Sequence, residues 1–259
     1  MEQRFTFDGV ASLYNTSRPA YPDALFADIV AFCGLETKDE ILEIGCGTGQ
    51  ATEGFARCGF SVLALDPGAE LIAVARERLA GFPQVRFQQT TFEAWPDEPG
   101  SFKLMVAGQS FHWVSPELRF AKTAALLAPG GALAIFGNVP MTPEQPLAGR
   151  FAEIYARCAP QLAGPPVEAW YLPEGPFSEE LRRSDNFETP VHHCYRWSRL
   201  HTARSYTDLL RTLSSYRLLA ENRREALLSE LSDAISAHGG EFDLHYETHL
   251  YLAGRASAA

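Results

Sequence analysis

The sequence predicts an α/β fold in which a Rossmann-like, seven-stranded, mostly parallel sheet carries helices on both faces. Three observations predict it. Two apolar runs each end in an acid, at Glu43 and at Asp66. Three glycines at alternate positions follow the first acid, between residues 45 and 49. Strand-like and helix-like patterns alternate from residue 23 to residue 139, as they do in parallel sheets with crossover helices.

The individual elements follow from periodicity. Residues 23–33 place Leu25, Phe26, Ile29 and Val30 on one face, which is typical of a helix packed on a core. Further helices are predicted at 50–57, 70–79, 116–127, 147–159, 205–214 and 223–237. Strands are predicted to end at residues 44, 66, 89 and 108, with a fifth after the turn at 127–133, a sixth at 191–197 and a last at 241–253.

The glycine spacing excludes one large class of nucleotide sites. A dinucleotide fingerprint requires G-x-G-x-x-G. Counted from Gly45, the third glycine would fall at Gln50, and counted from Gly47 it would fall at Thr52. The sequence therefore does not predict a nicotinamide dinucleotide site.

The two acids indicate the charge of the ligand. Glu43 lies directly before the glycine turn, where a carboxylate repels pyrophosphate and suits an ammonium group. Asp66 lies at the end of the next strand, where a carboxylate can accept hydrogen bonds from ribose hydroxyls. A ligand with an α-amino acid end and a ribose satisfies both positions.

Four motifs carry a family resemblance. The run E-I-G-C-G-T-G-Q at 43–50, with L-D-P at 65–67, resembles motif I and the second-strand acid of class I S-adenosylmethionine (SAM)-dependent methyltransferases. The patterns A-x-Q-x-x-H-W at 107–113 and Y-x-x-x-R-P-x-Y-P at 14–22 are similar to the small-molecule subgroup of trans-aconitate methyltransferase-like (type 11) proteins. L-x-P-G-G-x-L at 127–133 is shared with the superfamily.

The resemblance implies SAM as the cofactor and S-adenosylhomocysteine as the product. It implies cofactor contacts from the N-terminal cap, the glycine loop, the second-strand acid and the segments after strands three and four: Tyr14, Arg18, Tyr21, Glu43, Gly45, Cys46, Gly47, Gly49, Gln50, Asp66, Pro67, Thr91, Phe92, Glu93 and Gln109. Thr91 stands where the family often has an aspartate that contacts the adenine amino group, and a threonine hydroxyl can accept one hydrogen bond.

The acceptor site is predicted from aromatic residues near the same sheet edge: His112, Trp113, Trp170, Tyr171 and Tyr216. His112 is the candidate catalytic residue, as a general base for a phenol, enol or thiol. The alternative is that it shapes the cofactor pocket. A carboxylate acceptor needs no base and is held by cations, for which Arg18, Arg196, Arg199 and Arg217 are candidates.

The resemblance favours a carboxylate as the small-molecule acceptor. Two alternatives stay open. One is C-, O- or S-methylation of a quinone-like, phenolic or thiol metabolite. The other is a non-catalytic, SAM-binding regulatory protein. Enzymes that methylate amino groups of nucleic acids carry N-P-P-Y or D-P-P-Y after strand four, whereas residues 108–111 of this chain read G-Q-S-F. Nucleic-acid methylation is therefore disfavoured.

The predicted organisation is a single methyltransferase domain over residues 1–259. A cap covers 1–22, the SAM-binding core covers 23–139, and an insertion at 140–186 contributes to the acceptor pocket. Residues 187–259 complete the sheet with strands and helices.

Composition restricts the remaining classes. The chain of 259 residues carries a formal net charge of −10, which disfavours nucleic acid as a partner. Its five cysteines lack the spacing of a metal site, so no metal is expected. The first residues carry no signal-peptide pattern and no apolar run is long enough to span a bilayer. A cytoplasmic protein without membrane contact is therefore predicted.

Overall fold

The computed structural model describes residues 8–96, 99–162, 164 and 166–257. Within them the strands are β1 (Glu40–Ile44), β2 (Ser61–Asp66), β3 (Val85–Gln89), β4 (Phe102–Gly108), β5 (Leu127–Pro140), β6 (Val191–Thr202) and β7 (Glu241–Gly254). They form one seven-stranded sheet in the order β3-β2-β1-β4-β5-β7-β6. Residues 1–7, which include the beginning of the predicted cap and the segment searched for a signal peptide, lie outside the described residues.

The α-helices are α1 (Ala11–Ser17), α2 (Asp23–Cys33), α3 (Gln50–Arg57), α4 (Ala69–Arg78), α5 (Arg119–Leu126), α6 (Leu147–Cys158), α7 (Pro176–Arg183), α8 (Ala203–Arg211), α9 (Ser214–Arg217) and α10 (Glu221–Ala237). The helices α2 and α3 begin and end at the predicted residues. The α5 helix is shorter than predicted because residues 116–118 form a turn before it.

Parallel pairing places the predicted ligand-binding residues at one edge of the sheet. The central strand β1 pairs in parallel with β2 and with β4, β2 pairs in parallel with β3, and β4 pairs in parallel with β5. The chain moves outward from β1 to β3 and then returns to the other side of β1 at β4. This reversal is a topological switch point, where open α/β sheets bind ligands beyond the carboxyl ends of their strands. The predicted fold class is confirmed.

One strand is longer than its sequence pattern. The alternation predicts β6 over 191–197, but the strand continues to Thr202. There a capping box begins α8: the Thr202 hydroxyl accepts from the Ser205 backbone N–H, and the Ser205 hydroxyl contacts the Thr202 backbone N–H. The cap, rather than the alternation, sets the end of the strand.

The described residues form two compact units. The sheet unit comprises residues within Pro19–Asn138, Trp170–Tyr195 and Thr248–Ala259, and the helical unit comprises residues within Met1–Arg18, Val139–Ala169 and Arg196–Glu247. Each unit has a buried apolar core, built in the sheet unit around β1, β2, β4 and β5 and in the helical unit around α6, α8 and α10. In the described part of the chain, no helix has the length and apolar character that crossing a bilayer requires.

Candidate functional site

The glycine loop forms a tight turn between β1 and α3 in the sheet unit. The backbone N–H groups of Gly45 and Cys46 both donate to the carbonyl oxygen of Leu65, over 2.8 and 2.9 Å. Gly45 has a φ of +71°. A Cβ built on it would lie 2.5 Å from the Ser110 Cβ atom. Glycine is therefore required here both by the left-handed backbone and by the close approach of the segment after β4.

Glu43 is a buried acid at the end of β1, with 1% of its surface exposed. The Thr52 hydroxyl on α3 donates to its Oε2 atom over 2.5 Å. Burial raises the pKa of Glu43 to about 7, against the opposing effect of the Thr52 bond and with a further raising contribution from Asp66. A cationic ligand group beside this carboxyl would favour its ionised form.

Asp66 links two loops at the end of β2. Its Oδ2 atom accepts from the Gly47 N–H over 2.9 Å, and its Oδ1 atom accepts from the Gly68 N–H over 2.8 Å. Each carboxylate oxygen can accept more than one hydrogen bond, so an N–H bond to an oxygen does not by itself prevent it from accepting another donor. Asp66 thus also fixes the shape of the glycine loop, a role that the sequence did not indicate.

Gln50, the first residue of α3, presents a buried donor. Its Oε1 atom accepts from the Thr48 hydroxyl over 2.9 Å. Its Nε2 atom is buried and has no hydrogen-bond partner among the described residues. A buried amide N–H without a partner is costly, and a ligand carboxylate or hydroxyl would satisfy it.

The segment after β4 is held in an unusual conformation. Gln109 has a φ of +53°, which is uncommon for a residue other than glycine, and its N–H donates to the Phe136 carbonyl oxygen over 2.8 Å. Its Nε2 atom donates to the Asn138 carbonyl oxygen over 3.4 Å. Backbone outliers of this kind concentrate at ligand sites.

Asn138 is a buried polar residue that bonds Gln109 and that the sequence pattern did not single out. Its Nδ2 atom donates to the Ala20 carbonyl oxygen over 3.3 Å, and its Oδ1 atom accepts from the Thr248 hydroxyl over 2.6 Å. The side chain therefore joins β5, β7 and the chain before α2. The only sequence signal was a polar residue interrupting the apolar run of β5.

The turn after β3 contains three predicted cofactor residues. The Thr91 hydroxyl accepts from the Ala94 N–H over 3.2 Å. Phe92 is buried, and the Glu93 Oε1 atom accepts from the Ser115 N–H over 3.2 Å. These contacts give all three side chains roles in shaping the turn, and their predicted contacts with a cofactor stay predictions.

Tyr21 lies over the end of β4 in the sheet unit. Its ring packs edge-on against Phe136 with centroids 4.8 Å apart. A Cβ built on Gly108 would lie 2.9 Å from its hydroxyl oxygen. The structure thus brings Tyr21 to the sheet edge that carries the glycine loop. Pro67 lies at this edge too, and its carbonyl oxygen accepts from Gln89.

His112 lies in an aromatic cluster beyond β4, also in the sheet unit. Its ring centroid is 4.5 Å from that of Trp113 and 6.3 Å from those of Trp170 and Tyr171. Its Nδ1 atom is 3.4 Å from the Tyr171 hydroxyl oxygen. Tyr171 is fully buried, whereas His112, Trp113 and Trp170 are half-buried. Four of the five predicted acceptor residues therefore share one neighbourhood.

Three predicted residues belong to the helical unit. The Arg18 guanidinium lies 4.9 Å from the centre of the Tyr14 ring, and its Nη2 atom donates to the Thr212 carbonyl oxygen over 3.0 Å. The Arg18 Nε atom is buried without a hydrogen-bond partner among the described residues. Tyr216 is buried and its hydroxyl bonds the Tyr155 hydroxyl.

The remaining candidate arginines differ in exposure. The Arg196 side chain is 82% exposed and pairs with Glu247 over 2.9 Å. Arg199 is half-buried and donates from Nη1 to the Ser17 carbonyl oxygen over 3.0 Å. Burial, with the nearby Arg224 charge, lowers the pKa of Arg217. Arg199 and Arg217 are the better placed of the three to hold an anion away from bulk water.

Comparison with known proteins agrees with the fold. Residues 41–131 match the model of the family described as "Methyltransferase domain". A malonyl-[acyl-carrier protein] O-methyltransferase from a Paenibacillus species is 32% identical over 194 residues, or 70% of this chain and 66% of that protein. A trans-aconitate 2-methyltransferase from Paracidovorax citrulli is 32% identical over 145 residues, or 54% of this chain and 52% of that protein.

A solved structure has the same fold. A putative type II methyltransferase from Anaeromyxobacter dehalogenans superposes with a TM-score of 0.57 at 21% identity, covering 92% of this chain and 97% of that chain. The chain spans about half the length of the first curated relatives that it matches.

In this fold two neighbouring parallel strands each end in an acid, and a glycine turn lies between them at the topological switch point. This arrangement is typical of nucleoside-binding α/β proteins. The chain belongs to the class I SAM-dependent methyltransferases.

Proposed function

We propose that the protein transfers a methyl group from SAM to a small-molecule acceptor, and that a carboxylate is the favoured acceptor. The observation that carries the proposal is that two buried acids lie beside the glycine loop, Glu43 at the end of β1 and Asp66 at the end of β2. This negative, hydrogen-bonding edge suits a ligand with an ammonium group and ribose hydroxyls, and it is unsuited to pyrophosphate.

The residues at this edge fit the proposed cofactor. Glu43 would hold the ammonium group, and the buried Nε2 donor of Gln50 would bind the carboxylate or a hydroxyl. Asp66, at the end of β2, would accept from ribose hydroxyls. When bound, SAM supplies a methyl group on a positively charged sulfur, and S-adenosylhomocysteine is the product. The protein's task is then to hold the acceptor in line with that methyl group.

The names of two relatives support a carboxylate acceptor, because they point to acidic acceptors: trans-aconitate in one and a malonyl group in the other. His112 would then contact the acceptor or the cofactor without having to remove a proton.

Calorimetric titration tests the cofactor. We expect SAM to bind the wild-type protein and to bind Asp66→Asn at least tenfold more weakly, because an amide cannot replace both carboxylate oxygens as acceptors. Asp39→Asn is the matched control, since Asp39 accepts a backbone N–H from Glu36 in an exposed turn before β1. Absence of SAM binding by the wild type would overturn the proposal.

Transfer of a labelled methyl group tests the acceptor. Wild-type protein would be incubated with methyl-labelled SAM and a panel of di- and tricarboxylic acids, phenols, quinone precursors and thiols. Methyl esters formed on the acids would support the carboxylate proposal. Transfer to the other acceptors alone would contradict it, and SAM binding without transfer to any compound would favour the non-catalytic, regulatory alternative.

A further inference from the structure

Tyr171 is held in the core of the sheet unit by contacts that do not involve His112. A Cβ built on Gly137 of β5 would lie 2.7 Å from the Cγ and Cδ2 atoms of Tyr171, so the ring rests directly on the strand backbone. The Tyr251 hydroxyl donates to the Tyr171 carbonyl oxygen over 3.0 Å. The ring also packs on Phe177, with centroids 5.1 Å apart. The core therefore fixes the direction of the Tyr171 hydroxyl.

That hydroxyl lies 3.4 Å from the Nδ1 atom of His112. Tyr171 has no exposed surface, and a buried phenol O–H is stabilised only when it donates to an acceptor. The unprotonated Nδ1 atom of a neutral imidazole is such an acceptor. A bond in this direction places the ring proton on the other nitrogen, Nε2.

We propose that Tyr171 is a positioning residue that holds His112 as the Nε2–H tautomer, so that His112 donates a hydrogen bond to an anionic acceptor and does not act as a base. The inference rests on the proposed function and extends it. A neutral donor would help to orient a carboxylate beside the cofactor, and it requires no proton transfer. The groups shown to face the imidazole are the titratable Tyr171 and the indole rings of Trp113 and Trp170.

Nitrogen-15 NMR of the histidine rings tests the inference without any acceptor or cofactor. The chain has seven histidines, and His112→Gln identifies the signal of interest by its loss. We expect wild-type His112 to be the Nε2–H tautomer when neutral. In Tyr171→Phe the pKa of His112 should rise by about half a unit to one unit, because the lost bond stabilised the neutral form.

Two further variants make the test specific. Gly137→Ala keeps the Tyr171 hydroxyl but fills the space beneath the ring, and it should raise the pKa of His112 in the same direction. Tyr195→Phe is the matched control, because it removes the hydroxyl of a half-buried tyrosine that donates to Asp28. It should leave the tautomer and the pKa of His112 unchanged. An Nδ1–H tautomer in the wild type would overturn the inference, and so would identical His112 titrations in wild type and Tyr171→Phe. Failure of SAM binding is detected separately by the titration above.

Discussion

The sheet unit buries an acid and the helical unit buries a histidine, and the pKa shifts that burial causes in these two groups have opposite consequences for folding. In the sheet unit, burial raises the pKa of Glu43 to about 7 from 4.5. In the helical unit, burial and the nearby Arg199 charge lower the pKa of His201 to about 4 from 6.5. Burial favours the neutral form of both groups. Glu43 becomes neutral by holding a proton, whereas His201 becomes neutral by releasing one.

The sign of each pH dependence follows from proton uptake. Between pH 4.5 and 7 the folded protein holds a proton on Glu43 that the unfolded chain releases, so stability falls as pH rises. Between pH 4 and 6.5 the unfolded chain holds a proton on His201 that the folded protein excludes, so stability falls as pH drops. The comparison teaches that a buried acid and a buried base make stability depend on pH with opposite signs, so titrating stability distinguishes the two groups.

Glu43→Gln is expected to have the largest effect. As the pH rises from 5 to 8, ionisation of the wild-type carboxyl should lower the free energy of unfolding by about 2 to 3 kcal/mol. The amide cannot ionise and still accepts from Thr52, so the variant should not lose this free energy. The variant should therefore be more stable than wild type at pH 8, as measured by denaturant unfolding at several pH values. Its SAM affinity should fall at least tenfold because the ammonium loses its counter-charge.

Glu36→Gln is the control for this change, because Glu36 is exposed before β1. It should alter neither the pH dependence nor SAM binding. Equal stability of wild type and Glu43→Gln across the pH range would show that Glu43 is ionised without cost, and the contrast between the two units would fail.

His201→Gln should have a somewhat smaller effect of opposite sign. His201 is fully buried, its Nε2 atom lies 3.2 Å from the Tyr246 hydroxyl oxygen, and its Nδ1 atom lies 3.4 Å from the Ser205 hydroxyl oxygen. The wild type should lose about 2 kcal/mol between pH 8 and pH 5 through this residue, and the variant should not. The measurement is the same pH series, with the exposed His238→Gln as control. If the difference in stability between wild type and His201→Gln did not change from pH 8 to pH 5, the acid sensitivity would belong to other groups.

The contrast between the units also explains what the sequence could predict. In the sheet unit some bonds at the predicted site join residues that are close in sequence: Asp66 bonds Gly68 two residues away, and Glu43 bonds Thr52 nine residues away. Local patterns such as acid-ended strands and alternate glycines record such contacts directly. The glycine turn after β1 and the bounds of α2 and α3 were predictable for this reason.

The helical unit was less predictable because its polar contacts join distant segments. Arg18 bonds the main chain 194 residues away, and Arg199 bonds it 182 residues away. In the sheet unit the same holds for one pair, Tyr171 and His112, which are separated by 59 residues. Sequence reasoning named Tyr171 and Tyr216 as candidate pocket walls, and both are buried, but no periodicity could pair them with their hydroxyl or imidazole partners.

Tyr155→Phe tests whether the helical unit depends on such a long-range polar contact. The Tyr155 hydroxyl bonds Tyr216 and also Tyr206, and burial raises the pKa of all three phenols. Removing the middle hydroxyl leaves the other two buried with one partner fewer. We expect a loss of about 1 to 2 kcal/mol in denaturant unfolding.

The control is again Tyr195→Phe, whose half-buried hydroxyl donates to a single carboxylate of Asp28 that solvent can reach. It should cost less, because water can satisfy the carboxylate that remains. SAM affinity should be unchanged in both variants, since neither hydroxyl is among the groups proposed to hold the cofactor. If Tyr155→Phe instead weakened SAM binding as strongly as Asp66→Asn does, the assignment of cofactor recognition to the acids and the glycine loop of the sheet unit would be wrong. Unchanged binding together with reduced stability would show that the Tyr155 hydroxyl serves the stability of the helical unit and not cofactor recognition.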